Sequence, residues 1–137
     1  MSDRELIAQA LLARKNAYVP YSHFAVGAAL LADSGRIYTG CNIENAAYSP
    51  TNCGERTAVF KAVSEGERRL LKLALVAGND TLDAPLPEIV SPCGVCRQVL
   101  IEFASPEMEI LLAKSEYDYE THTLGDLFPM GFSSKDL

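Results

Sequence analysis

Three of the chain's four cysteines sit in two short motifs that any fold of this chain has to accommodate. These are Cys53-Gly54-Glu55 and Pro92-Cys93-Gly94-Val95-Cys96. A tetrahedral metal held by three thiolates keeps one coordination position open, and Glu55 stands beside the first of them. That layout suits a site that activates water, whereas a purely structural site is closed. Cys93 and Cys96 are spaced i and i+3, so on a helix they share a face and can hold one ion together. The pattern predicts Cys53 at the start of one helix and the Cys93/Cys96 pair in the first turn of another. Both places lie near positive helix ends, which favour thiolates.

The 137 residues suit a single domain over 1–137. A chain of this length can bury about two thirds of its unfolded surface. A hydrophobic fraction of 48% and a charged fraction of 22% are ordinary for a soluble globular protein. The net charge of -6 weighs against a protein that grips nucleic-acid backbone through clustered Lys and Arg, and is compatible with a small, near-neutral substrate. The Met1 end opens on a polar, helix-like segment without the pattern of a signal peptide. The longest apolar run, residues 25–32, is too short to cross a bilayer. Four cysteines in such a chain read as those of a reducing, cytoplasmic protein.

Ser2-Asp3-Arg4-Glu5 has the form of a capping box, and Leu6, Ile7, Ala10, Leu11 and Arg14 follow at helical spacing. This predicts a helix over 3–16. Residues 25–31 read as a buried strand, Asp33-Ser34-Gly35 as a turn and 36–41 as its antiparallel return. Residues 42–52 have loop composition. A second helix is expected over 53–65, closed by Gly66, and a third strand over 71–77. After a Pro- and Asp-rich loop over 78–90, Ser91-Pro92 predicts an N-cap and first helical position for a helix reaching Phe103. A fourth strand over 108–113, an edge strand over 117–121 and a short helix over 123–128 complete an α/β layered fold with a mixed sheet.

Taken alone, C-x-x-C also fits a redox pair or half of a structural zinc site. A redox pair has no use for a third cysteine, and a structural site needs a fourth ligand. Cys41 is the only spare cysteine, at a strand end where a buried, inert thiol is the plain expectation. Three thiolates with one Zn2+ leave a net negative charge, which opposes ionisation of bound water. Arg56 follows Glu55 and Arg97 follows Cys96. Each can donate to the sulfurs and offset that charge, or be an ordinary solvated arginine on a helix. His23 and His122 have no case as ligands and read as a loop residue and a surface residue.

With these motifs in place, the chain resembles the cytidine deaminases, specifically their short, homotetrameric, all-cysteine type. The resemblance covers nearly the whole length. It is carried by Pro20-Tyr21-Ser22-His23-Phe24, Val26-Gly27-Ala28-Ala29-Leu30, Gly40-Cys41-Asn42-Ile43-Glu44-Asn45-Ala46-Ala47-Tyr48, Cys53-Gly54-Glu55-Arg56-Thr57-Ala58, Lys61-Ala62-Val63-Ser64-Glu65-Gly66 and Ser91-Pro92-Cys93-Gly94-Val95-Cys96-Arg97-Gln98. Two features depart from it. Gly54 stands where those proteins usually have Ala, and the segment 79–88 is longer than usual, an expected surface-loop variation.

The resemblance implies a three-layer α/β/α cytidine-deaminase-like fold with a mixed sheet of about five strands. It implies one Zn2+ per subunit on Cys53, Cys93 and Cys96, with Glu55 shuttling protons. Asn42 and Glu44 would hold the ribose hydroxyls, since an amide plus a carboxylate can serve both sides of a sugar hydroxyl. Read without the resemblance, these two are more simply loop caps. Phe24 and Phe132 would pack against the base, with Gly54 beside it, although a lone Phe is usually a core residue. Tyr48 and Phe132 would approach the active site of a neighbouring subunit in the homotetramer. The implied activity is hydrolytic deamination of cytidine and 2'-deoxycytidine in pyrimidine salvage.

Three rival readings share features of this pattern. A deaminase of a cytosine-containing antibiotic nucleoside, of the blasticidin S type, would keep the zinc motifs but has no need of Asn42-Ile43-Glu44-Asn45. A polynucleotide-editing deaminase is opposed by the acidic balance. A non-catalytic zinc-stabilised module leaves Glu55 without a purpose. No membrane or nucleic-acid partner is expected.

Overall fold

A computed structural model describes all 137 residues. Helix α1 spans Asp3–Arg14, and its N-terminus carries the predicted box: Ser2 Oγ accepts from the Glu5 backbone N–H while the Glu5 carboxylate accepts from Ser2 N–H. Strand β1 (Phe24–Ala32) turns back into β2 (Ile37–Cys41). Then follow α2 (Gly54–Ser64), β3 (Leu70–Asn79), α3 (Gly94–Phe103), β4 (Glu109–Ser115), β5 (Asp118–Thr123) and the single turn α4 (Leu124–Leu127). The expected edge strand exists, and pairs antiparallel with β4.

The sheet order is β2-β1-β3-β4-β5. Only β3 and β4 run parallel, joined by the α3 crossover. The sheet is mixed, and its central strands alternate between two apolar faces as the period of two requires. Leu30, Leu73, Leu75, Ile110 and Leu112 point to one face and pack with Val59 of α2 and Leu100 of α3. Ala29, Ala74, Val76 and Leu111 point to the other and pack with Leu6, Ile7 and Ala10 of α1. The three layers α1, sheet and α2–α3 are those expected.

Two glycines set how closely the helices lie on the sheet. A Cβ at Gly27 would sit 2.1 Å from Ala10 O, and one at Gly40 would sit 2.6 Å from both Gly54 O and Ala58 N. α1 therefore rests on β1 backbone, and the first turn of α2 rests on β2.

Two expectations are corrected. The third helix starts at Gly94 with Cys93 as its N-cap, so Ser91 caps nothing. Arg97 has recruited that segment instead: Ser91 Oγ accepts from Nη2 and Pro92 O from Nε, which pulls 91–92 out of helical geometry. The 78–90 segment is also more than a surface loop. Leu86 is buried in the α1-side core and its N–H donates to Lys114 O.

Candidate active site

The start of β1, the end of β2, the end of β3 and the N-termini of α2 and α3 meet at one edge of the sheet. Phe24 pairs with Asn79 and Gly27 with Cys41, so the antiparallel register brings these strand ends together. Cys53 is the N-cap of α2 and Cys93 that of α3, while Cys96 lies in the first turn of α3. Neither N-cap cysteine makes a side-chain capping bond. Ser, Thr, Asp or Asn at an N-cap would stabilise each helix by about 1 kcal/mol. Both helices forgo that, a local cost typical of functional positions.

The three sulfurs lie within 4.8 Å of one another, with Cys53 and Cys93 3.8 Å apart. Two sulfurs at Zn–S distances of about 2.3 Å on a tetrahedral ion are about 3.8 Å apart, so the cluster fits zinc. Cys41 stands outside it; burial raises its thiol pKa, in keeping with an inert residue. Cys53 is pulled down to about 5, chiefly by a hydrogen bond shared with Cys96 and then by Arg56. The same shared proton, together with burial, drives Cys96 upward.

Arg56 Nη2 donates to Cys53 Sγ at 3.2 Å, as one of its two readings anticipated. Its Nε is buried without a partner. The Cys53 contact raises the guanidinium pKa further. Arg97 does not do the same. Its three nitrogens are taken by Pro92 O, Leu127 O and Ser91 Oγ, so it braces the approach to Cys93 and leaves the sulfurs alone.

Glu55, the second residue of α2, is 4% exposed and has no hydrogen-bonded ion-pair partner. Burial pushes its carboxyl up to about 7, and the neighbouring Cys53 charge adds to the rise. A carboxyl that binds and releases a proton near neutrality is suited to acid–base work.

The plainer readings of Asn42 and Glu44 are realised. Asn42 Oδ1 accepts from Val26 N–H and Nδ2 donates to Phe24 O. The Glu44 carboxylate accepts from the N–H groups of Tyr21 and Ser22 and from Ser22 Oγ, which lowers its pKa, the Ser22 side chain contributing most. A carboxylate has about four acceptor positions and an amide two N–H groups, so each keeps one free for a ligand. Tyr21, Ser22, Glu44, Tyr48 and Thr51 line a cleft of about 370 Å3 at this edge. Tyr48 packs edge-on against Tyr21.

Phe24 is 40% exposed, Tyr48 75% and Phe132 57%. The core reading of Phe24 and Phe132 therefore fails, and both remain available for contact. Phe132 sits over α3, its C=O accepting from Gln98 Nε2. A Cβ at Gly54 would meet Val26, Cys41 and Asn42 at 3.2–3.5 Å, so the methyl missing there faces β1 and β2. His23 is a loop residue beside Asp80, and His122 pairs with Glu120 on β5, so neither approaches the sulfurs. The residue that sequence reasoning missed is Arg14, whose place on the apolar stripe of α1 was its only signal.

The family description "Cytidine and deoxycytidylate deaminase zinc-binding region" matches residues 1–112, which places the chain among the zinc-dependent deaminases. A cytidine deaminase of Sporosarcina psychrophila is 55% identical over 137 residues, covering 100% of this chain and 96% of that protein. One of Halalkalibacterium halodurans is 46% identical, covering 100% and 98%. The crystal structure of a Burkholderia pseudomallei cytidine deaminase superposes with a TM-score of 0.86 at 41% identity, covering 96% of this chain and 100% of that one. The chain belongs to the cytidine deaminase family, and it is an enzyme with a zinc-binding site.

Proposed function

We propose that this protein catalyses the hydrolytic deamination of cytidine and 2'-deoxycytidine to uridine and 2'-deoxyuridine with release of ammonia, in pyrimidine salvage. The observation that carries the reading is Glu55, a buried carboxyl poised at about 7 one residue inside a helix whose N-cap is a cluster cysteine. The sulfurs of Cys53, Cys93 and Cys96 would hold the ion. Zinc, when bound, supplies Lewis-acid activation of water near neutral pH. Glu55 accepts a proton from the attacking water and delivers it to N3 of the cytosine ring. As the water oxygen bonds to C4, Glu55 next takes the proton of the new C4 hydroxyl and passes it to the exocyclic nitrogen; the C4–N bond breaks, ammonia departs and C4 keeps the oxygen as a carbonyl. Phe24 lies along the base, with the Gly54 backbone beside it. The free positions of Asn42 and Glu44 take the ribose hydroxyls. Arg56 offsets the thiolate charge.

Residues 1–137 form one domain in this reading. The domain assembles as a homotetramer in which Tyr48 and Phe132 reach a neighbouring subunit's site. Large apolar side chains left exposed on a small protein support that assembly. A cytoplasmic location suits three cysteines that have to stay reduced. No helix is long and apolar enough to cross a membrane.

The test is to incubate the purified, zinc-loaded protein with cytidine and follow ammonia and uridine, with Glu55→Ala in parallel. Uridine from the wild type alone supports the reading. A folded, zinc-loaded protein that yields none refutes it, and blasticidin S in the same assay then separates the antibiotic-nucleoside enzyme from a non-catalytic module. Light scattering at assay concentration reads the assembly state.

A further inference from the structure

Arg14, the last residue of α1, is 7% exposed and has no carboxylate within ion-pair distance. Its guanidinium is used entirely on main-chain carbonyls. Nε donates to Ala25 O at 3.1 Å, Nη1 to Leu82 O at 2.8 Å, and Nη2 to Gly78 O and Asn79 O at 2.9 and 2.5 Å. These acceptors belong to the start of β1, the end of β3 and the turn that follows it. A planar fork of five donors can bind all of them at once, and a lysine ammonium cannot reproduce that geometry.

The turn is also tied to His23, the residue just before β1. Asp80 N–H donates to His23 O at 2.7 Å, and the His23 Nδ1 lies 3.3 Å from Asp80 Oδ2. His23 has φ 59°, a left-handed conformation that a residue with a side chain keeps only when its surroundings hold it. The next residue is Phe24. Its N–H donates to Ser22 Oγ and its C=O accepts from Asn42 Nδ2, so two further side chains hold it from the other side. The backbone on either side of Phe24 is thus fixed by contacts outside the cleft: His23 O by the turn, Ala25 O by Arg14.

We propose that Arg14, the end of β3 and the turn after it form a positioning clamp that sets the Phe24 ring for the base, which makes residues 78–82 part of substrate recognition. The proposal rests on the reading of Phe24 as a base contact. Arg14 touches no substrate; it acts through the carbonyls that it holds.

The test compares Arg14→Lys and Asp80→Ala with wild type and with Phe24→Ala as the reference. For each, zinc per chain, kcat and KM for cytidine are measured well below the melting temperature, with hydrogen–deuterium exchange of the peptide covering 20–27. Arg14→Lys should exchange faster there and raise KM by about threefold to tenfold, with kcat within about threefold and zinc unchanged. Asp80→Ala alters an exposed side chain that stability barely needs, so it carries the test if Arg14→Lys fails to fold. Its KM should rise about twofold to threefold. Wild-type KM in the clamp variants, beside a raised KM in Phe24→Ala, overturns the clamp and leaves Arg14 a purely structural residue. Wild-type KM in Phe24→Ala itself overturns the base-contact reading, whatever the clamp variants do.

Discussion

Glu55→Gln should make the zinc-free protein more stable, by an amount that depends on pH. The carboxyl is 4% exposed, and burial moves it from an ordinary 4.5 to about 7. Below pH 4.5 it is protonated whether the chain is folded or not, so its ionisation takes nothing from stability. Between 4.5 and 7 the unfolded chain gives up the proton and the folded one keeps it, so stability falls as pH rises. Above 7 the loss is complete. At about 1.4 kcal/mol per pH unit, it amounts to about 3 kcal/mol. Glutamine is nearly the same size and does not ionise, so its own packing cost is an offset that pH leaves unchanged. Urea unfolding of reduced, chelator-treated wild type and Glu55→Gln at one protein concentration measures the difference. With an m-value of about 1.5 kcal/mol per molar, the midpoint gap should widen by about 2 M between pH 4.5 and pH 8. A gap of constant size across that range refutes the burial argument and with it the poised carboxyl.

Leu86→Ala should lose about 2–4 kcal/mol by urea unfolding, because Leu86 fills the α1-side core; a loss under 0.5 kcal/mol would return the segment to the surface. Gly27→Ala should cost about 3 kcal/mol or more, since the new methyl meets the backbone of Ala10 and Arg14, whereas Gly54→Ala, whose nearest neighbour is a Val26 methyl at 3.2 Å, should stay within about 1 kcal/mol of wild type. Equal thermal shifts for the two would contradict the close-approach argument. Arg56→Gln should lower turnover or zinc retention about tenfold, as loss of a ligand's supporting group does, and wild-type values for both would remove Arg56 from the site.

Much of this molecule can be read from local patterns. The box at Ser2 and Glu5, the short apolar strand runs and the cysteine spacing each depend on neighbours a few residues away, and each appears where expected. What escaped depends on distant partners. Ser91-Pro92 has the form of a helix start, but Arg97 and the long reach to Leu127 decide its conformation. Arg97 adjoins a cluster cysteine in sequence, yet its side chain leaves the sulfurs for carbonyls. Arg14 falls on an apolar stripe, and nothing local reveals the four carbonyls that make burying it tolerable. Beyond its first two residues, which finish β3, the 78–90 segment has loop composition because it is a loop; that Leu86 seals a core depends on the α1 layer.

The cysteines of the cluster come from two helices separated by the whole of β3, with Cys53 and Cys93 40 positions apart. They come together only when the parallel β3–β4 crossover has closed and α3 lies beside α2. The β1–β2 hairpin is local and closes quickly; the crossover spans a long loop and closes slowly. A newly made chain therefore spends its early life with one thiol and a distant pair, a poor trap for metal. Full-strength capture of zinc begins only after that crossover has formed, so metal uptake reports a long-range event of folding, and a stopped-flow zinc indicator should rise more slowly than the hairpin forms.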